Sequence, residues 1–394
     1  MTVKITRPSI DIRGTLDELN KPSGIAGNAM LRAETPQEQF NLIGAGRKNL
    51  IINGAMQVAQ RGTSATTIDS NKYTTCDRFL QEFPPASWSV NSTQETDGPS
   101  GFSYSHKIAA TSGASLGPSD YMIPFEYRVE GYDASRLGLG TTEAKDVTLS
   151  FWIKSNRTGT NTVDFTKQGG GVGIFIARQY TIISANTWEY KTITIPANPN
   201  ATNVHTDSAN AFTIFWWMLS GRDFNSGEIV DSWGLQTPGN RAPGTSSTIA
   251  SGDYWQMTGV QLEIGSVATP FEHRSYGEEL ALCQRYYYSR KLSWLTCFFL
   301  SYINRFIINP IYFPVPMRTS PTVAWDSGSI IVTLYGYNAV SGTTTSSTVH
   351  GNLGVSTESA SLYVDRVGGG QAPVNTSSYS LENSSALFSF SAEL

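Results

Sequence analysis

The chain has 394 residues, a net charge of -4 and only 15% charged residues. That length exceeds one ordinary core and points to two or three domains, while the lack of a clustered Lys/Arg excess argues against a nucleic-acid binder. Gly (36), Tyr (18), Phe (18) and Trp (9) are plentiful, a mixture that short strands joined by Gly/Ser/Thr turns produce and a helical bundle does not.

Residues 1–46 differ from the rest, with few aromatics and several Gly and Pro. In Thr35-Pro36-Gln37-Glu38 the Thr can cap, the Pro suits the first helical position and the Glu can bond back, which predicts a short helix with Phe40, Leu42 and Ile43 on its apolar side. The segment cannot bury a core of its own, so it reads as an extended arm that orders against a partner; a flexible tail is the alternative.

From Asn49 to about Glu272 the pattern is strand-like. Leu149, Phe151 and Ile153 alternate with Ser150, Trp152 and Lys154; Ile193 and Ile195 keep the same period, as do Val260, Leu262 and Ile264 around Gln261 and Glu263. Period-two alternation between Gly, Pro, Asn and Ser clusters predicts antiparallel sheets with one buried face, and at this size a jelly-roll sandwich. Phe212–Leu219 is apolar on both faces, so that strand should lie centrally or against another surface. Ser275-Tyr276-Gly277-Glu278 is a second capping box, predicting a connector helix to about Tyr288 with Leu280, Cys283 and Tyr287 on one face.

Strands then resume at Trp294–Phe299, Phe306–Phe313, Ile330–Tyr337 and Leu387–Leu394, with a bend or edge at Pro314–Pro321. The alternation of Phe388, Phe390, Ala392 and Leu394 predicts a final strand that pins the C-terminus. The expected architecture is therefore all-β: an arm with a short helix (1–46), a jelly-roll β-sandwich (47–274), a connector helix (275–290) and a smaller β-sandwich (291–394). No repeat of fixed period supports a parallel β-helix.

Cys76, Cys283 and Cys297 cannot all pair and show no metal-site spacing, so they are expected to be small buried residues. The polar start MTVKITRPSIDIRGTLDEL lacks a signal-peptide centre, and the longest apolar stretches are too short or too interrupted to span a bilayer. The expectation is a soluble chain, without membrane insertion, assembled in a reducing cytoplasm.

The segment Lys48-Asn49-Leu50-Ile51-Ile52-Asn53-Gly54-Ala55-Met56-Gln57-Val58-Ala59-Gln60-Arg61-Gly62 resembles the opening of a module common in bacteriophage tail-fibre proteins, in which an Asp-Arg-Phe comes next, here Asp77-Arg78-Phe79. Gln261-Leu262-Glu263-Ile264-Gly265 and Ala268-Thr269-Pro270-Phe271-Glu272 are similar to its close. Leu282-Cys283-Gln284-Arg285-Tyr286-Tyr287 and Pro316-Met317-Arg318-Thr319-Ser320-Pro321-Thr322 are similar to further elements of such fibres, and the arm resembles those of fibres from phages of marine bacteria, including cyanophages. The likeness covers most of the chain, with 325–394 matched by architecture only. It implies a virion component with a carbohydrate-binding-module-like jelly roll, a homotrimer that joins tail, baseplate or nozzle/adaptor proteins through its arm. Ile10, Ile12, Leu16, Leu31, Phe40 and Leu42 are the arm's candidate attachment residues.

The motif residues also have structural readings. Asn53-Gly54 suits a turn of positive φ; Asp77 and Arg78, adjacent on a strand, would point apart, one of them pinning a loop. For chemistry, His106, His205, His273 and His350 form no metal motif, and no G-x-S-x-G elbow occurs. Gly169-Gly170-Gly171-Val172-Gly173 reads as a hairpin turn, not a phosphate loop. No catalytic residue, metal or cofactor is assigned, although a pair of carboxylates for glycoside hydrolysis would leave no sequence signature.

A host-surface glycan needs flat aromatic faces beside polar side chains. The candidates are Trp152, Trp217, Trp233, Trp88 and Tyr104, with Tyr121 and Trp188 behind them; Trp152 stands out because the alternation puts it opposite the buried Leu149–Ile153 face. Subunit interfaces are the competing use of such rings. The resulting expectation is a non-enzymatic tail fibre that recognises a host glycan, against a depolymerase spike or a purely architectural tail component.

Overall fold

The computed structural model describes residues 47–83, 88–167, 173–202, 204–291, 295–300, 305–308, 310–327, 330–334, 344–346, 349–365, 379–381 and 387–394. The candidate attachment residues Ile10, Ile12, Leu16, Leu31, Phe40 and Leu42 lie outside them. The chain divides into two compact units, 1–48 and 49–394, and every described strand and helix belongs to the second; the helix expected after Thr35 lies outside the described residues.

The alternating segments pair as the sequence predicts. Ser64–Ile68, Val90–Glu95, Ser105–Ala110, Tyr254–Ile264, Val147–Ser155 and Glu189–Ile195 form, in that order, a six-stranded sheet. An eight-stranded sheet runs Gly234–Leu235, Ile174–Ile182, Gly159–Lys167, Asn210–Trp217, Tyr121–Glu130, Phe79–Glu82 and Lys72–Tyr73, with Leu219–Ser220 beside Tyr121–Glu130. Every named pairing is antiparallel. Leu149, Phe151 and Ile153 from the first sheet and Phe125, Val163, Phe165 and Trp216 from the second share one buried core. Phe151 meets Tyr180 and Trp216 edge-on across it, at centroid distances of 5.2 and 6.0 Å. The protein is thus an all-β sandwich of jelly-roll type with few short helices. Lys167 pairs with Ile174, so the strands flanking the glycine run form an antiparallel hairpin.

Asn210–Trp217 lies centrally, as its two apolar faces require: Phe212, Ile214 and Trp216 enter the main core, while Phe215 and Trp217 enter a second cluster with Ile123 and Ala242 on the sheet's other side. His106 is buried in the main core and hydrogen-bonds through Nε2 to the Thr75 and Ser92 hydroxyls at 3.0 and 2.8 Å; burial holds its imidazole down to about 3, so it stays neutral.

The second capping box forms a helix over Tyr276–Gln284, with Ser275 accepting from the Glu278 amide and Glu278 accepting from the Ser275 amide. The helix ends four residues earlier than expected because Tyr287–Lys291 is a strand paired with Leu387–Ser391. Replacing Ser275 with Ala removes the cap and should cost about 1 kcal/mol in urea unfolding; an unchanged midpoint would show that tertiary packing alone holds the turn.

C-terminal to the helix, Tyr287–Lys291, Leu387–Ser391 and Thr322–Ser327 form a three-stranded sheet. A second sheet of eight strands runs Ile311–Tyr312, Ser359–Asp365, Arg305–Ile308, Leu295–Leu300, Tyr379–Leu381, Ile330–Leu334 and Thr344–Ser346, with Val349–Val355 beside Ser359–Asp365. Phe388, Phe390 and Ala392 are buried, as their alternation requires. The final strand stops at Ser391, however, and arginines fix Ala392, Glu393 and Leu394 beyond it. Arg318 donates to the Ala392 and Glu393 carbonyls at 2.7 and 2.8 Å, and Arg128 donates to the Leu394 carbonyl.

Asp77 and Arg78, expected on a strand, lie in a turn instead, where Arg78 takes a left-handed φ of 74°. Both are buried, and each binds a different neighbour. Asp77 accepts from the Gln60 amide and side chain and sits 3.6 Å from Arg61, while Arg78 pairs with Glu393. Asn53 has the positive φ expected of it, 62°, and its side chain ties the Val58 and Asp77 carbonyls. Cys76 and Cys283 are free and buried.

Burial outweighs Arg61 and Gln60 and pushes the Asp77 carboxyl up to about 7. The folded protein therefore keeps this proton at pH values where the unfolded chain has lost it. The resulting stability is fully present below about pH 4 and is lost as pH rises from there through about 7. In Asp77→Asn this part of the slope should vanish, by up to roughly 1.4 kcal/mol per pH unit between about pH 4 and 7. Urea midpoints measured across that interval would refute it if variant and parent ran parallel.

Candidate functional site

The outward side of the six-stranded sheet carries the site. On Val147–Ser155 the residues between the core positions, Ser150, Trp152 and Lys154, face away from the core. The neighbouring strand places Tyr190 opposite Trp152 and Thr192 opposite Ser150. Trp152 is half-buried and Tyr190 is 44% exposed; their rings lie 5.2 Å apart at 47°.

Facing this pair across a groove of about 470 Å3 is a second aromatic wall. Phe102 and Phe271 meet edge-on at 5.0 Å, and His273 lies 4.9 Å from Phe271 and 5.3 Å from Phe102. The volume is within the roughly 300–1,000 Å3 of small-ligand sites.

Two local devices position these walls. The strand Tyr254–Ile264 shifts register between Thr258 and Gln261, a bulge that places Gly259 on the groove floor at φ +62°. A Cβ there would lie 2.8 Å from Phe102 and 2.9 Å from Trp152, so only glycine lets the two walls approach. The second device is the pair of closing motifs. Glu263 accepts from the Thr269 amide at 2.8 Å and from its hydroxyl at 2.5 Å, and Gln261 accepts from the Glu272 amide at 2.8 Å. These bonds fold Ala268–Phe271 back over the sheet and deliver Phe271 to the groove.

Beyond the groove the same face continues with polar side chains. Lys154 pairs with Asp97 and lies 5.3 Å above the Trp188 ring. The Lys154 hydrogen bond holds the Asp97 carboxyl below its ordinary range. Tyr254 takes Lys107 over its ring at 4.7 Å and donates to Asn186 at 2.7 Å.

Of the five candidate aromatics, only Trp152 lines this groove. Trp217 is fully buried, donates to Asp164 at 2.8 Å and is capped by Arg241 at 4.7 Å. The loop after Ser220 covers that side of the sheet, so the ring has no face open to a ligand. Trp88 is 4% exposed and packs on Phe83 at 5.3 Å, which removes it in the same way. Trp233 and Tyr104 are half-buried against the core, Trp233 donating to the Pro196 carbonyl at 2.8 Å.

Tyr190 could have been found from the period of Ile193 and Ile195. Phe102, Phe271 and His273 come from loops, where no periodicity marks a face. A hollow of about 140 Å3 beside Arg157 is small, and that guanidinium is committed to Thr248, Asp253 and Ser246. Among the described residues no group of three His, Cys, Asp or Glu could hold a metal ion, and no helix is long and apolar enough to cross a membrane.

No protein-family model matches the chain, and no curated protein sequence matches it. Solved structures similar to it include the enzymatically active domain of tailspike protein 4 of bacteriophage CBA120, 12% identical with a TM-score of 0.29, covering 55% of this chain and 21% of that one. The family 11 carbohydrate-binding module of a Clostridium thermocellum cellulosomal cellulase is 12% identical with a TM-score of 0.27, over 53% of this chain and 97% of the module. A xylan-binding domain from Paenibacillus barcinonensis is 8% identical with a TM-score of 0.26, over 52% of this chain and 100% of that one. With scores this far below 0.5, the sandwich architecture rests on the chain's own strand pairing.

Proposed function

We propose that the protein is a bacteriophage tail fibre whose sandwich binds a host-surface glycan in the Trp152–Tyr190 groove. The observation that carries the binding half is the groove itself: two aromatic walls on an otherwise polar sheet face, at the size of a small-ligand site. The tail-fibre half is supported by the motifs that resemble those of such fibres. Residues 1–46 anchor the chain to the tail, 47–274 form the glycan-binding sandwich, 275–290 the connector and 291–394 a further module. In a homotrimer, three weak grooves would combine into firm adhesion. The role proposed for the groove is binding, not cleavage.

The test has two arms. Purified protein in excess should compete with the phage for adsorption to host cells, and failure to bind those cells would overturn the adhesive role. Deleting residues 1–46 should abolish incorporation into virions and leave the competition intact; a truncated form that still assembles would overturn the anchor.

A further inference from the structure

The space between the groove's two walls is lined mostly by carbon, and that says which sugars it takes. Around it, Thr269 gives its amide and hydroxyl to Glu263, and Gln261 donates to Glu263 and to the Thr269 carbonyl. Thr258 donates its hydroxyl to the Tyr104 carbonyl at 2.7 Å, and Lys154 is held by Asp97. What lies between the two walls is carbon, the rings of Trp152, Tyr190, Phe102 and Phe271 around the bare backbone of Gly259, while Ser150, His273, the Tyr190 hydroxyl and the Trp152 indole N–H are the polar groups the lining offers to sugar hydroxyls. Each sugar hydroxyl buried there without a partner costs about 1–3 kcal/mol, whereas a buried methyl is favourable by about 0.8 kcal/mol per carbon.

We infer that the groove selects a glycan unit bearing a methyl group, as an N- or O-acetyl substituent or as a 6-deoxy carbon, and seats that methyl between the Trp152–Tyr190 and Phe102–Phe271 walls. This inference rests on the glycan-binding reading of the groove. The ring faces of the sugar stack on the half-buried Trp152 and the exposed Tyr190, and its hydroxyls stay at the solvent side, where His273 is exposed. The two closing motifs then act as specificity elements, since they place Phe271.

The full-length protein is titrated by intrinsic tryptophan fluorescence with pairs of probes that differ in a single group. Chitotetraose and cellotetraose differ only in the acetamido group at C2; L-rhamnose and L-mannose differ only in the C6 hydroxyl. The methyl-bearing member of at least one pair should bind about ten- to two-hundred-fold more tightly, the range for one apolar group in a fitted pocket. The pair that discriminates distinguishes acetyl from deoxy recognition. Phe271→Ala should collapse that preference while sparing the tryptophan that stacks on the ring. Equal or stronger binding of the fully hydroxylated probes would overturn the inference and leave glycan binding standing. Binding of none of the four probes would overturn the inference, and failure to compete for host cells as well would overturn the glycan-binding reading with it.

Discussion

Replacing Glu393 with Ala should destabilise the protein by about 3–5 kcal/mol, measured by equilibrium urea unfolding. Its carboxylate is 6% exposed and bonds both Arg78, itself 1% exposed, and Arg61 at 3.1 Å. Arg78 cannot relax into water: its guanidinium lies 3.6 Å over the Tyr286 ring and 5.2 Å from that of Tyr127, and it donates to the Arg128 carbonyl at 2.8 Å. Removing the carboxylate therefore leaves a buried cation without its counter-charge, and that loss, more than the pair's net attraction, sets the size of the effect. Replacing both partners, Arg78→Met with Glu393→Leu, should recover part of the loss, because apolar packing can substitute for a buried pair. The double-mutant cycle gives their coupling directly. A Glu393→Ala midpoint within about 0.5 kcal/mol of the parent, the usual range for an ordinary surface change, would show that the Arg78–Glu393 pair is not formed.

The second large effect belongs to the groove. Trp152→Ala should weaken binding of the glycan proposed for this groove by about thirtyfold or more, the loss of roughly 2 kcal/mol expected of a central aromatic anchor. The fold should survive, because Trp152 faces away from the Leu149–Phe151–Ile153 core. Gly259→Ala should weaken binding by another route, since its Cβ would push on Phe102 and Trp152 at once. Trp217→Ala is the contrasting substitution: it removes a wholly buried ring and leaves Asp164 with one donor fewer, so it should cost stability. If Trp152→Ala bound its glycan as tightly as the parent, the site would lie elsewhere.

What the sequence determined by itself was periodic. Alternation marks which side of a strand is buried, and so it assigned Leu149, Phe151 and Ile153 to the core and Trp152 to the opposite face, while two apolar faces put Phe212–Leu219 centrally or against another surface. The capping box at Ser275 needed only local hydrogen bonds, and it formed where its residues stand. The end of that helix was not local. Tyr287 joins a strand whose partner, Ser391, stands far along the chain, at its other end of the C-terminal region.

The tertiary structure alone decided the rest, for one physical reason: strand period tells which way a side chain points, never what comes to cover it. Trp217 alternates outward from the main core, yet the loop bearing Phe224 and Arg241 closes over it. Gln261 and Glu263 also alternate outward, yet they are buried because they bind the loop that brings Phe271 to Trp152. The closing motif, legible only as a structural signature, is what builds the second wall of the groove.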